Sequence, residues 1–292
     1  MRKIIPALPL LGALLGHTPA WGAAVVDSAS GISAADITPT RDVFRGDLGG
    51  GTVAGANGSF GGVRREINWD GVPDAVSAPN NFPADFFNVN SPRGAVFATP
   101  GTGFQVSANA GVAPIDFGNI DPSYTSTFAA FSPQRLFTAL GSNVVDVLFF
   151  VPGTNTPATV SGFGAVFTDV DLSNATSIQY FTAGNALLGT FFVPGTVGSE
   201  TFSFLGVSFN AGEQVGRVRI TNGNAALGTG ITDQNGNARD LVVMDDFLYG
   251  EPRAIPEPAS IILVTTGVLS AVAGRSVRRR MQARELQIPS GG

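Results

Sequence analysis

The chain has 292 residues, 43% of them hydrophobic and 22 of them Phe, so a packed core is within reach and disorder is excluded. Of 17 basic and 22 acidic residues, seven basic and two acidic ones fall in segments 1–23 and 256–292; the body 24–255 keeps 10 and 20, a net −10 that repels DNA and RNA. Cys is absent and the only His and Lys are His17 and Lys3. The body therefore has no disulfide framework, Ser-His-Asp triad, Cys nucleophile, Schiff-base lysine or His/Cys zinc site.

The chain opens with basic Arg2-Lys3, then an apolar run to Leu15, then the small-residue stretch around Trp21-Gly-Ala-Ala24. That order predicts a cleavable secretory signal over 1–23, cut by signal peptidase after Ala20, Ala23 or Ala24. Residues 24–40 read as a leader or first edge strand. From Arg41, short apolar runs alternate with turn clusters, and no helical period of convincing length follows before residue 250.

The predicted strands are Arg64–Trp69, Ala95–Thr99, Gly103–Ser107, Tyr124–Phe128, Leu136–Leu140, Val144–Phe150, Gly162–Thr168, Ser177–Thr182, Leu187–Phe192, Glu200–Phe209, Gly216–Asn222 and Asp240–Tyr249. Two hairpins are expected, at Thr99-Pro-Gly-Thr-Gly103 and at Thr182-Ala-Gly-Asn-Ala186. With no linker between the strands, the expected fold is all-β: a single jelly-roll-like two-sheet sandwich over 41–250, with linker 251–255, an N-terminal signal helix and a C-terminal hydrophobic helix.

Several stretches of the body are distinctive, among them Phe44-Arg-Gly-Asp-Leu-Gly-Gly50, Arg64-Arg-Glu-Ile-Asn-Trp-Asp-Gly-Val-Pro73, Asn88-Val-Asn-Ser-Pro-Arg-Gly94, the run from Val151 to Asp171, and Val243-Met-Asp-Asp-Phe-Leu-Tyr-Gly250. They resemble a group of exported bacterial proteins. The resemblance implies one domain and no particular biochemical activity.

The acids offer the chemistry. Asp47, Asp70, Asp74, Asp169, Asp171, Asp245 and Asp246 lie at turns or strand ends, where carboxylates and carbonyls can converge on a hard cation. The expected ligands of a structural calcium are Asp245, Asp246 and Asp47. Under strict alternation one of Asp245 and Asp246 faces inward, and a buried carboxylate needs an ion or an arginine. Arg45-Gly46-Asp47 matches a cell-adhesion tripeptide, but a match this short reads as turn chemistry. Trp69 shares a face with Ile67, which places it in the core and not on a sugar. Glu66 and Asp70 could be a glycosidase-type pair. Glu is scarce in the body (Glu66, Glu200, Glu213, Glu251), and nothing in the pattern sets a general acid in a cleft.

At the far end, Pro256-Glu257-Pro258 precedes the apolar run Ile261–Ala273 and the basic cluster Arg275, Arg278, Arg279 and Arg280. This arrangement resembles the PEP-CTERM sorting signal of Gram-negative bacteria. The resemblance implies recognition by an exosortase, a membrane-embedded cysteine transpeptidase or protease, and cleavage near the Pro-Glu-Pro motif. Residues 259–274 would make ~24 Å of helix against a hydrocarbon core of ~30 Å, suited to transient insertion with the arginines held in the cytoplasm. The sequence thus points to an exported protein of the cell surface or extracellular matrix, with a non-catalytic structural, adhesive or glycan-binding role and extracellular polysaccharide as the candidate partner. The alternative is a carboxylate-dependent, calcium-assisted carbohydrate-active enzyme.

Overall fold

The computed structural model describes residues 24–50, 55–210, 212 and 214–255. The signal at 1–23, the motif Pro256-Glu257-Pro258, the apolar segment 259–274 and the arginine cluster lie outside the described residues. Among those described, no helix is long and apolar enough to cross a membrane.

The chain runs β1 (Ala24–Gly31), α1 (Ala34–Leu48), β2 (Ser59–Phe60), β3 (Arg64–Ile67), α2 (Phe86–Val89), β4 (Ala95–Ala98), β5 (Gly103–Val106), β6 (Phe137–Leu140) and β7 (Val144–Phe149). It continues through β8 (Ala158–Thr159), β9 (Gly162–Thr168), β10 (Ser177–Thr182), β11 (Leu187–Phe192), β12 (Phe202–Phe209), β13 (Val215–Thr221) and β14 (Val243–Gly250). One antiparallel sheet has the order β1-β12-β9-β14-β3-β2, with β6 pairing β14 and β5 pairing β6. The other has the order β11-β10-β13-β7-β4. This is the expected all-β two-sheet sandwich. The contacts gather the described residues through Arg253 into one compact unit, and only Ala254 and Ile255 are described beyond it.

The two sheets bury their strands differently, and the sequence explains why. β7 alternates, with Val145, Val147 and Phe149 inward. β9, β12 and β14 are buried at every residue, because one face meets the second sheet and the other meets α1 and, at the start of β14, the segment from Phe117 to Leu136. Gly164 and Gly206 sit opposite each other on β9 and β12 and form the seat for Phe44 of α1. A Cβ at Gly164 or Gly206 would come within 2.7 or 2.6 Å of the Phe44 ring. Trp69 lies in the main core, stacked on Phe137 at 4.0 Å, and its Nε1 donates to the Asp245 carbonyl at 2.8 Å. The sequence reading placed it there.

Three expectations need correction. Residues 24–40 hold the edge strand β1, paired along β12, but then enter α1, where no helix was expected. Asp36 accepts hydrogen bonds from the Ser33 backbone N–H and hydroxyl, both at 2.9 Å, and so caps the helix start. Its inward residues are only Ile37, Phe44 and Leu48, and Pro39 stands inside it, so the apolar period is sparse. Tyr124–Phe128 is not a strand: Asp121 caps Ser123, Pro122 occupies the first turn, and Pro122–Ser126 winds as a 3₁₀ helix. Finally, Thr99–Gly103 does not close a hairpin. It carries the chain from β4 in one sheet to β5 in the other, where Gly101 fits against the Leu140 carbonyl and Thr102 N–H donates to that oxygen at 2.7 Å. The Thr182–Ala186 hairpin is present between β10 and β11, with Asn185 at φ 64°.

Candidate metal centre

β9 and β14 are neighbours with Val243 opposite Thr168, so the residues just after β9 lie beside those just before β14. That register brings together acids far apart in the chain. Asp169 takes up a left-handed backbone (φ 69°) and its N–H donates to the Thr201 carbonyl at 2.9 Å. Its side chain is fully buried and neither carboxyl oxygen has a hydrogen-bond partner. Asp171 Oδ1 accepts from the Gly198 N–H at 2.7 Å, while its buried Oδ2 has no partner. Asp233 accepts from the N–H groups of Asn235 (2.6 Å) and Leu241 (2.9 Å). Ligand-capable oxygens of Asp169, Asp171 and Asp233 all lie within 4.8 Å of one another. Behind them Asp240, fully buried, accepts from the N–H groups of Asp171 (3.2 Å) and Leu172 (3.1 Å) and so fixes the strand end.

No arginine forms an ion pair with these four acids among the described residues. Burial pushes the Asp169 carboxyl up to about 9, helped by the charges of Asp233, Asp171, Asp240 and Glu200. Burial likewise raises Asp240 to about 6 and raises Asp171 against the pull of the Gly198 N–H. An all-carboxylate set of this kind suits a hard divalent cation and not zinc or copper.

The residues singled out from the sequence are distributed otherwise. Asp245 is buried in β14, where its carboxylate accepts from the N–H of Phe131 (2.6 Å), the N–H of Ser132 (3.1 Å) and the Ser132 hydroxyl (2.9 Å). Asp246 is also buried and faces Arg41 at 3.5 Å. Asp47 is exposed near the end of α1, beside Asp27, whose carboxyl is raised to about 6 by burial and by Asp47. The three acids that the structure groups for a cation are Asp169, Asp171 and Asp233, not Asp47, Asp245 and Asp246. Asp169 and Asp171 were among the sequence candidates, and Asp233 was not. Its one local signal is the run Asp233-Gln-Asn-Gly-Asn-Ala-Arg-Asp240, a polar loop with an acid at each end.

The glycosidase-type pair and two further acids are occupied. Glu66 bridges Arg45 and Arg64 at 2.7 and 2.9 Å, and Asp70 accepts from the Asn68 amide at 2.9 Å. Asp74 pairs with Arg135, and Glu251 pairs with Arg65 at 2.7 Å. Arg45-Gly46-Asp47 forms the last turn of α1 and not a loop, with Arg45 held by Asp42 and Glu66. Glu213 lies outside the described residues. No protein family, curated protein or solved structure matches the chain.

Proposed function

We propose that this chain is an exported protein of the cell surface or extracellular matrix, with a structural, adhesive or glycan-binding role and no catalytic one. Signal peptidase and an exosortase would process its two ends. The observation that carries the non-catalytic reading is the fate of Glu66 and Asp70. A glycosidase needs one carboxyl free to donate a proton and another free to attack or to activate water. Glu66 is instead neutralised by two arginines.

An open cleft at one end of the sandwich is lined by Leu48, Val63, Ser161, Phe209, Gln214 and Arg253, and its one described acid, Glu251, is bound to Arg65. A lining that mixes polar with apolar side chains and has no unpaired described acid suits a sugar chain better than it suits hydrolysis. A structural calcium completes the reading as the cofactor of a cysteine-free exported fold, and the Asp169, Asp171 and Asp233 cluster supports it.

Mass spectrometry of the protein recovered from an exosortase-bearing bacterium tests the sorting. A mature chain ending near Pro256 is expected, and a secreted chain still ending at Gly292 would refute it. A glycan array and a reducing-sugar assay on the same polysaccharides test the role. Binding without release of sugar ends is expected, and measurable hydrolysis would favour the carboxylate enzyme.

A further inference from the structure

We infer that Asp169, Asp171 and Asp233 bind one calcium ion, which ties the end of β9 to the loop leading into β14. The inference rests on the proposed reading of a calcium-bearing exported fold and gives that ion a place and a task. Acidic residues gather on many protein surfaces without a ligand, so proximity alone decides nothing. What decides here is the state of the oxygens. Asp169 is 0% exposed and both of its carboxyl oxygens lack any partner, and Asp171, 6% exposed, presents a second such group through Oδ2. Buried carboxylates are normally met by N–H donors or by a cation.

The spacing fits an ion. Calcium takes oxygen ligands at about 2.3–2.6 Å, so two ligands on opposite sides stand roughly 4.8 Å apart. One carboxyl oxygen from each of the three acids lies within 4.8 Å of those of the other two. Asp171 and Asp233 are already oriented by backbone donors, at Gly198 for the first and at Asn235 and Leu241 for the second. Each keeps lone pairs free for a metal, because a carboxylate oxygen can accept twice. Asp240 acts as a positioning residue: its oxygens hold the N–H groups of Asp171 and Leu172. Three carboxylates with no paired arginine favour a doubly charged ion over sodium or potassium. Ligands drawn from separate loops favour calcium, whose coordination is flexible, over magnesium, which demands a near-ideal octahedron.

The consequence is mechanical. Residues 222–242 cross from β13 to β14 without regular strand or helix, and an ion at Asp233 would anchor the middle of that crossing to the sandwich.

The test uses the full-length chain, stripped with a calcium chelator and melted with and without added calcium or magnesium. Calcium at about a hundredfold excess over its Kd is expected to raise Tm by about 5–10 °C, with a smaller rise from magnesium. Asp169→Asn is expected to remove the calcium-dependent rise while the metal-free Tm stays close to that of the unaltered chain. Asp233→Asn, a change at a half-exposed loop residue, repeats the test without disturbing the core. A calcium-independent melt of the unaltered chain would overturn the inference, as would a calcium rise that survives in both variants. The sorting reading fails separately: an uncut C-terminus beside an intact calcium rise would remove that reading and leave the ion site standing.

Discussion

Two groups of buried acids in this sandwich meet the same problem in different ways. Asp245 and Asp246 are at most 5% exposed, and Asp169 and Asp171 at most 6%. At the first place the protein itself supplies most of the partners: two backbone N–H groups and a hydroxyl on Asp245, and Arg41 at 3.5 Å from Asp246, whose Oδ1 has no hydrogen-bond partner. At the second, no arginine pairs with an acid among the described residues, and the Asp169 oxygens are bare. Burial of a carboxylate therefore does not identify a metal site. What separates the two places is a carboxylate with neither a hydrogen-bond donor nor an arginine, and that carboxylate is Asp169. Asp245 and Asp246 read as a structural clamp that fastens α1 and the 131–132 segment to β14, and Asp169, Asp171 and Asp233 as a place built for a ligand from outside.

The comparison can be broken most severely at Asp245. Replacing it with Ala strands two buried N–H donors and a hydroxyl, and should cost about 3–5 kcal/mol of unfolding free energy. Denaturant titration measures this, and a loss below about 1 kcal/mol would mean the clamp does not hold the loop. Arg41→Met leaves the Asp246 charge facing no cation and should cost about 1–2 kcal/mol at neutral pH by the same measurement. Asp169→Asn inverts the expectation. In chelator it replaces a buried carboxyl that nothing pairs with a neutral amide of the same shape, so stability should stay within about 1 kcal/mol of the parent or rise above it. A loss as large as that of Asp245→Ala would erase the distinction.

The smallest effect concerns pH. Burial pushes the Asp246 carboxyl up from its ordinary 3.8 to about 6, with Arg41 pulling the other way. Between those values the folded chain keeps a proton that the unfolded chain has released. This contribution to stability is therefore whole below about pH 4 and is lost as pH rises through 6. Asp246→Asn should flatten that part of the stability–pH curve, and an unchanged slope would show that the group titrates normally.

Much of the sandwich was legible because its strands carry their own signals. Gly162–Thr168, Ser177–Thr182 and Leu187–Phe192 coincide with the predicted spans, since short apolar runs bounded by turn residues have few other uses. The helix α1 was hidden because its buried face is set by three residues spaced seven and four apart, with Pro39 between them. What makes it a helix in place is tertiary: the glycine seat under Phe44, contributed by strands more than 100 residues away. The Pro-Gly turn after β4 was visible as a turn, but its local chemistry does not say which strand comes next to it in space.

The proposed ion site appeared only in part, for the same reason. Asp169 and Asp171 stood among seven turn or strand-end acids that could meet a cation, and Asp233 looked like part of a polar loop. Only the Val243–Thr168 register brings them together. Conversely, strict alternation turned one of Asp245 and Asp246 inward and called for an ion or an arginine, and nothing local announced that the partners would be the N–H donors of Phe131 and Ser132 and the guanidinium of Arg41.

Calcium-binding calorimetry on the full-length chain, Asp169→Asn and Asp246→Asn tests the contrast between the two sites most directly. One site per chain is predicted, lost in Asp169→Asn and retained in Asp246→Asn. A site that survives in Asp169→Asn and vanishes in Asp246→Asn, or the absence of any site in the unaltered chain, would contradict the account.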